Sequence, residues 1–282
     1  GKLLGLGYGA ALGLAIAGNS EDSYKAVLGF SSIGSIALGE VAFHLQKQKN
    51  SPRGQIEMMR HYGILSPLVA ASFLATGHVD NPNLYGLALL GGGVSGLIIG
   101  KNVSKKYDYS QGDADAISSL TIISAGLGFT AVADALENSE DPNALVLIPA
   151  ATSIIGSIIG QRAVKGVHLT IKQGSTIQLS TAGAALIGFG IVAIAQSDSP
   201  GFIIGVPSVM ALITHQVSFH NFKMKNLELN LKRSDVRKHD YKFSFNVTPE
   251  NYLINKKIPA ERYSPQVYSS MQNSLFNVTL TF

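Results

Sequence analysis

The sequence contains no cysteine and no tryptophan, and charged residues make up only 14% of it. Without cysteine, disulfides, thiolate metal sites and cysteine nucleophiles are excluded. The charged fraction lies well below the roughly 25% of an average soluble domain, and the mean hydropathy is +0.22. Glycine, in contrast, occurs 30 times in 282 residues. This composition favours a membrane protein whose helices pack through small residues.

Eight apolar stretches of moderate hydrophobicity follow one another along the chain. They lack the strict apolar–polar alternation of strands, and several are long enough, at about 20 residues, to cross a bilayer as a helix. The sequence therefore predicts a mainly α, integral membrane protein with eight membrane helices in four hairpins. The stretches are residues 3–17, 26–43, 64–76, 84–103, 117–136, 144–164, 177–195 and 202–219.

An internal repeat of about 60 residues relates the hairpins to one another. The segment GLIIG at 96–100 recurs as GSIIG at 156–160, with SIALG at 35–39 as a weaker copy. In the same frame, AGLGF at 125–129 recurs as IGFGI at 187–191. A glycine-containing triplet also recurs before successive segments, as RGQ, QGD and QGS with glycines at 54, 112 and 174.

The small residues of the repeat predict how the helices meet. In lipid, helices gain little by hiding apolar surface from each other, and close approach through small residues supplies van der Waals contact instead. We therefore expect glycine-zipper-like α-hairpins. The expected helix-packing residues are Ser35, Gly39, Gly96, Gly100, Gly126, Gly128, Gly156, Gly160, Gly188 and Gly190.

The two kinds of connection differ in charge and pattern. The short turns within hairpins are acidic and the longer links between hairpins are basic in sum. In a cytoplasmic membrane the basic links would face the cytoplasm. Each link also holds a short alternating run, at 43–46, 107–110 and 167–171, for which we expect short β segments or interfacial stretches. Asp113 and Ser175 are the expected N-cap residues of the helices that follow.

Beyond residue 219 the composition becomes charged and rich in Asn, Tyr and Phe, so we divide the chain into a membrane-embedded domain at 1–219 and a basic, partly β tail at 220–282. Period-two alternation predicts strands at 227–231, 241–247 and 276–282. The last run ends in Phe282 with apolar residues at every second position before it. It resembles the C-terminal strand signature of bacterial outer-membrane β-barrels, and that resemblance implies an outer-membrane location.

Three polar residues share one repeat position, directly after the second small residue of a pair. They are Glu40, Lys101 and Gln161. Polar groups inside membranes are functional suspects, but at a segment end a long side chain reaches the interface. We therefore expect all three to be interfacial polar residues, and we interpret Asp134, one turn inside its acidic turn, in the same way.

Two glycine-rich stretches invite a nucleotide-binding interpretation and do not support it. Residues 5–10 lack the strand, the βαβ unit and the later acidic residue of a dinucleotide fingerprint. Residues 93–102 carry Ser95 and Asn102 where a P-loop has glycine and Ser/Thr. The histidines are not spaced as metal ligands. We expect no catalytic, cofactor-binding or metal-binding residue, no cofactor and no nucleic-acid partner.

Three functions remain open, in order of support. The first is a non-enzymatic structural or accessory subunit of a bacterial cell-envelope complex, with membrane lipid and other membrane proteins as partners. The second is a repeat-built transporter or pore with helices broken at Pro67, Pro149 and Pro207. The third is an intramembrane enzyme, for which Glu40 and Asp134 are the candidates. The inner and outer membranes both remain open, with the outer favoured. Because the sequence begins at Gly1, we expect a removed leader or a fragment.

Overall fold

The computed structural model describes residues 2–20, 23–49, 51–139, 142–230, 242–247 and 276–281, and within them the chain is mainly helical. Two compact units are distinguished, Gly1–Leu229 and Asn230–Phe282. The elements of the described residues are α1 (Lys2–Ala17), α2 (Ser23–Lys49), α3 (Arg53–Thr76), α4 (Pro82–Lys106), α5 (Gln111–Asn138), α6 (Pro142–Leu145), α7 (Leu147–Val164), α8 (Ile171–Ala195), α9 (Pro200–Asn230), β1 (Lys242–Val247) and β2 (Phe276–Thr281).

Five of the described helices are long and apolar enough to cross a membrane, which is the property expected of an integral membrane protein. They cover Pro82–Lys106, Gln111–Leu136, Leu147–Val164, Ile171–Ala195 and Pro200–Asn226. Each of the eight apolar stretches falls within the helical part of the chain, the sixth across α6 and α7. The count of eight membrane helices stays a prediction.

Successive long helices pack side by side. In the first unit α1 contacts α2, α3 contacts α4, and α5 contacts α7. Across these pairs, α4 contacts α1, α3 contacts α5 and α7, and α5 contacts α8. The third pair, α5 and α7, therefore lies between α3 on one side and α8 on the other.

A proline of one helix lies against a glycine of its partner in three of the pairs. A Cβ added to Gly92 in α4 would meet the Cα of Pro67 in α3 at 2.8 Å. Gly128 of α5 lies in the same way against Pro149 of α7, at 2.8 Å, and Gly188 of α8 lies against Pro207 of α9, at 2.6 Å. At these points the pairs of helices come together as closely as their backbones allow.

The glycine triplets at the starts of α3, α5 and α8 also lie at close backbone contacts. A side chain on Gly54 would overlap the carbonyl oxygen of Tyr109, and one on Gly112 would overlap the carbonyl oxygen of Thr170. One on Gly174 would meet the Cα of Gly112 at 2.5 Å. The starts of α3 and α5 thus lie against the next link along the chain, and the start of α8 lies against the start of α5.

The expectation of short β segments in the links is wrong. Residues 43–46 belong to α2, and no strand lies at 107–110 or 167–171 in the described chain. The backbone there is extended at Tyr107 and Thr170, but its polar groups bond to side chains, as at Ser110 and Leu169, or to nearby backbone, as at Tyr107, instead of to a second strand. An extended segment becomes a strand only when another backbone pairs with it.

The expected N-cap residues also differ from the observed ones. Ser110 caps α5, and Asp113 is its partner three residues on in a capping box. Thr170 caps α8 and forms the same box with Gln173, so Ser175 lies inside the helix. Both hydroxyl caps accept a hydrogen bond from the third backbone N–H, as the capping-box geometry requires.

The second unit contains an antiparallel pair of strands within its described residues. Lys242 of β1 lies opposite Thr281 of β2, and Val247 lies opposite Phe276. Two of the three alternating runs therefore form strands, while the run at 227–231 is helical as far as Asn230, where α9 ends. The expected boundary at 219/220 falls inside α9. Leu231, Tyr241 and Phe282 lie outside the described residues.

The hydrophobic core of the first unit collects around the links rather than around the turns. It combines residues of α3, α5, α7, α8, α9 and the two links, and we call this region the link end. Its members are Met58, Tyr109, Ala114, Ala116, Ile117, Val164, Val167, Leu169, Ile177 and Phe219. The helix faces away from it carry many exposed large apolar side chains, as suits helices surrounded by lipid.

Candidate functional site

The carboxylate of Asp113 joins the two links at the link end. The side chain is 2% exposed, and its Oδ1 accepts a hydrogen bond from the backbone N–H of Leu169 at 2.9 Å. Its Oδ2 accepts one from the backbone N–H of Ser110 at 3.0 Å, and the Ser110 hydroxyl donates to the carbonyl of Leu169 at 2.6 Å. The extended backbones of both links are therefore satisfied by side chains of the start of α5.

The buried side-chain amide of Asn226 also bonds to backbone groups of a link. The Nδ2 of Asn226 in α9 donates to the carbonyl oxygens of Val167 at 3.2 Å and His168 at 3.3 Å. Its Oδ1 accepts a hydrogen bond from Gln173 Nε2 at 2.8 Å. The link between α7 and α8 is thus held from one side by α5 and from the other by α9.

Tyr109 lies in the link before α5 and is only 6% exposed. Burial, reinforced by the nearby side chains of Tyr62, Tyr107 and Asp113, raises the pKa of Tyr109 to about 12. Its phenol is therefore neutral under physiological conditions. A neutral aromatic side chain fits a position inside the core of the link end.

A polar network joins α3 to α5 and α7. His61 of α3 is 6% exposed; its Nδ1 lies 3.1 Å from the hydroxyl of Ser118 in α5, and its Nε2 lies 2.9 Å from the hydroxyl of Ser157 in α7. Gln161 donates to the Tyr62 hydroxyl at 2.6 Å and to Ser157 at 3.3 Å. We call these five side chains the His61 network.

The three expected interfacial residues have different surroundings. Lys101 is exposed, and so is Glu40, whose carboxylate lies 3.1 Å from the ring of His44. Gln161, in contrast, is half-buried and belongs to the His61 network. The shared repeat position therefore does not give the three side chains a shared environment.

Asp134 contacts the start of α9 rather than an open site. Its Oδ1 accepts hydrogen bonds from the backbone N–H of Gly201 and from the hydroxyl of Ser199, both at 3.0 Å. A carboxylate at a helix start satisfies free backbone N–H groups and complements the helix dipole. Asp134, one of the two candidates for an intramembrane enzyme, thus contributes to helix capping.

Most of the small residues expected at helix contacts lie against a neighbouring helix. A side chain on Gly96 would overlap the carbonyl of Tyr62, and a Cβ on Gly100 would meet Met59 Cα at 2.6 Å. The other close neighbours are Gly5 for Ser35, Lys2 for Gly39, Ser208 for Gly126, Pro149 for Gly128, Ser124 for Gly156, Ile117 for Gly160 and Pro207 for Gly188. Gly190 is exposed, and a Cβ there would meet no atom within 4 Å.

Two of the three prolines expected to break helices lie inside continuous helices. Helix α3 continues through Pro67, and α9 continues through Pro207. Between α6 and α7 the break lies at Val146, before Pro149. Free backbone groups at mid-helix breaks are what coordinate substrates in repeat-built transporters.

The His61 network is a contact between three helices. Ser118 and Ser157 both lie inside helices, in α5 and α7. Among the residues that the structure describes, no group of three or more His, Asp and Glu side chains is placed to hold a metal ion.

An apolar groove of about 670 Å³ lies beside the His61 network. Its walls come mainly from α3, α5 and α7, with Tyr85 of α4 at one end and Gln178 of α8 at the other. His61 and Ser118 belong to the lining, as does Arg60. The groove follows the contact between the second and third helix pairs.

Sequence reasoning did not find the His61 network or the role of Asp113 between the links. His61 precedes its bonding partners Ser118 and Ser157 by 57 and 96 residues, so no local spacing reveals the contact. The repeated triplet at Gly112 was a usable signal for Asp113, because it marks a helix start that is common to several repeats.

Comparisons with protein-family models, curated proteins and solved structures gave no match for this chain.

Proposed function

We propose that this chain is a non-enzymatic structural or accessory subunit of a membrane protein complex in the bacterial cell envelope. In this proposal, four glycine-zipper-like hairpins form a rigid, repeat-built body whose outer faces meet lipid and partner proteins. The observation that carries the proposal is the use of polar side chains to join elements: the buried Asp113, Asn226 and His61 and the exposed Asp134 each hold one helix pair or link to another.

The repeated close contacts support a packing role for the repeat. Gly54 and Gly112 meet carbonyl oxygens of the next link along the chain at equivalent places, and Gly174 meets Gly112. Repeats that bury their faces only against neighbours form extended bodies with large contact surfaces. A body of this kind serves well as a scaffold, because each helix pair is positioned by the next.

The outer face of α8 is the surface that we expect a partner to cover. Leu179, Leu186 and Ile194 are 74%, 71% and 85% exposed, and their spacing of seven and eight residues places them along one side of the helix. Lipid alone can solvate such a face. A subunit of a complex would instead bury part of it against another membrane protein.

The proposed location is the cell envelope, with the outer membrane favoured over the inner one. The basis is the alternating run that forms β2 (Phe276–Thr281) and its resemblance to terminal strands of outer-membrane proteins. Cell fractionation, with inner- and outer-membrane marker proteins followed in parallel, tests this part of the proposal separately.

Site-specific photo-crosslinking in the native membrane tests the subunit proposal. A photoreactive residue placed at Leu179, Leu186 or Ile194 is expected to give a discrete adduct with a second membrane protein. The same residue at Met58, which is fully buried, is the matched control and is expected to give only internal adducts. Mass spectrometry of the adduct identifies the partner.

Two outcomes of this scan oppose the proposal. Adducts with lipid alone at all three α8 positions would remove α8 as a partner surface. If exposed positions on the other helices, such as Ile36 and Ile213, also gave only lipid adducts, the chain would have no stable protein partner and the proposal would fail.

A further inference from the structure

Small side chains form part of the walls of the groove between α3, α5 and α7. Ala71, Ser72 and Ala75 of α3 face Ala125 of α5 and Ala150 and Ser153 of α7 across it. Neither side fills the space of about 670 Å³, a volume in the range of small-molecule pockets. An apolar occupant that fits this groove gains van der Waals contact with both walls, so it stabilises the helix pairs on both sides.

The groove opens to the surroundings of the helices rather than to the link end. Leu68, Ile122 and Phe129 line it and are 60%, 72% and 42% exposed. In a bilayer, such exposed apolar side chains border the acyl chains of lipids. An acyl chain therefore enters the groove from the side, without crossing polar protein surface.

The length of the groove fits one membrane leaflet. Its lining on α3 runs from Arg60 to Ala75, which is about 22 Å along a helix at 1.5 Å per residue. One leaflet contributes about 15 Å, half of the hydrocarbon thickness. The groove thus accommodates an acyl chain and the region where the chain joins its head group.

Arg60 lines one end of the groove, and two carboxylates lie beside it. The Arg60 guanidinium lies 2.8 Å from a Glu57 carboxylate oxygen and 3.8 Å from an Asp115 carboxylate oxygen. Arg60 is 42% exposed, whereas Glu57 and Asp115 are 18% and 6% exposed. This end also carries Gln178, whose amide donates to the carbonyl of Asp115 at 3.4 Å.

This set of charges complements a zwitterionic head group with hydrogen-bond donors. The exposed guanidinium is suited to a phosphate, and the two carboxylates are suited to a primary ammonium. An anionic phosphoglycerol head group would be repelled, because the site has two carboxylates and only one guanidinium. A quaternary ammonium has no N–H with which to bond the carboxylates.

We propose that this groove is a binding site for one phosphoethanolamine phospholipid, with an acyl chain between α3, α5 and α7 and its head group at Arg60, Glu57 and Asp115. The bound lipid completes the contact between the second and third helix pairs. The site is independent of the partner surface on α8, so either proposal can fail without the other.

Native mass spectrometry of the full chain in detergent tests the site. The protein is equilibrated with equal amounts of phosphoethanolamine, phosphocholine and phosphoglycerol lipids of identical acyl chains and is then moved to a delipidating detergent. Wild type is expected to keep one phosphoethanolamine lipid. Ala150→Phe fills the groove and is expected to reduce retention about tenfold, equivalent to about 1.4 kcal/mol.

Ala151→Phe is the matched control, because Ala151 is the neighbouring, exposed residue of α7 and does not line the groove. It is expected to retain lipid as wild type does. The double variant Glu57→Gln, Asp115→Asn is expected to keep a lipid but to lose the preference for phosphoethanolamine.

Equal retention in Ala150→Phe and Ala151→Phe would overturn the site. Retention of the three lipid classes in proportion to their supply would overturn the head-group assignment. If Ala150→Phe does not fold by circular dichroism, Ala125→Phe in α5, with exposed Ala131→Phe as its control, replaces it. The head-group preference of wild type is measurable without any variant.

Discussion

Helices α3, α5 and α7 are joined in two different ways along their length. At the link end, α5 meets the links through buried side chains that satisfy backbone groups, as Asp113 does for Ser110 and Leu169. Further along, a groove lies between α3 and the α5–α7 pair, and alanine, serine and larger apolar side chains line it. The contact therefore changes from specific polar bonds to a space that an apolar occupant fills.

The two kinds of contact are expected to contribute differently to stability. Hydrogen bonds between membrane helices contribute only about 0.6 kcal/mol on average, whereas a buried backbone N–H left without a partner costs about 1–3 kcal/mol. Asp113 satisfies backbone donors, while the His61 network consists of side chains alone. We therefore expect the link end to determine the stability of the first unit more than the network beside the groove.

Gly112→Ala tests the link end and has the largest expected effect. A Cβ there would overlap the Thr170 carbonyl and would lie 2.6 Å from the Leu169 carbonyl oxygen, and these backbone atoms have no room to move. We expect a loss of about 3 kcal/mol, the upper end for overpacking, measured as a lowered thermal midpoint by circular dichroism in detergent.

Gly183→Ala is the control for that substitution, because a Cβ on Gly183 would meet no atom within 4 Å. It is expected to be neutral or to stabilise by up to about 1 kcal/mol through helix propensity. If Gly112→Ala and Gly183→Ala had the same thermal midpoint, the close approach of α5 to the link would not contribute to stability.

Asp113→Asn is expected to have the second largest effect. The amide keeps the size of the side chain but has a single oxygen, so either Ser110 N–H or Leu169 N–H loses its acceptor. The expected loss is about 2 kcal/mol of unfolding free energy. Asp108→Asn, an exposed position in the same link, is the control and should leave the midpoint unchanged; an equal drop in both would contradict the assigned role.

A double-mutant cycle between His61→Leu and Ser157→Ala examines the network beside the groove. The expected coupling is about 1 kcal/mol, between the average and the largest values for membrane hydrogen bonds. Unfolding by a denaturing detergent, followed by circular dichroism, provides the four free energies. Strict additivity of the two substitutions would mean that the 2.9 Å contact contributes nothing to stability.

Gln161→Leu has the smallest expected effect. Its comparison with Lys101→Leu distinguishes the surroundings of two residues that share one repeat position. Gln161 bonds to Tyr62, so its loss is expected to cost about 0.6 kcal/mol. Lys101→Leu removes an exposed side chain and is expected to leave the same unfolding midpoint as wild type. Identical effects would indicate that both side chains reach the interface.

Sequence patterns were sufficient to locate the helices. Apolar stretches such as 117–136 and 177–195 are long enough to indicate a helix by themselves, because this signal does not depend on what the helix packs against. The strands at 242–247 and 276–281 follow from period-two alternation. The short strands expected in the links are absent from the described chain, since alternation does not show whether a second backbone is available to pair with.

The polar contacts could not be predicted for a different reason. A buried histidine bonded to Ser118 and Ser157 depends on three helices meeting at one level, and that level is set by packing. The same holds for Gln161, whose repeat position is shared with the exposed Glu40 and Lys101. Periodicity identifies which face of a helix is small or apolar, but it does not identify the partner of a polar side chain.

The composition of the particle extracted from native membranes tests the central claim most directly. After mild detergent extraction of the tagged chain, size-exclusion chromatography with mass spectrometry is expected to show one or more other membrane proteins at fixed stoichiometry. That stoichiometry should persist across several mild detergents. A homogeneous monomer, carrying only lipid and detergent under every mild condition, would contradict a role as a structural subunit.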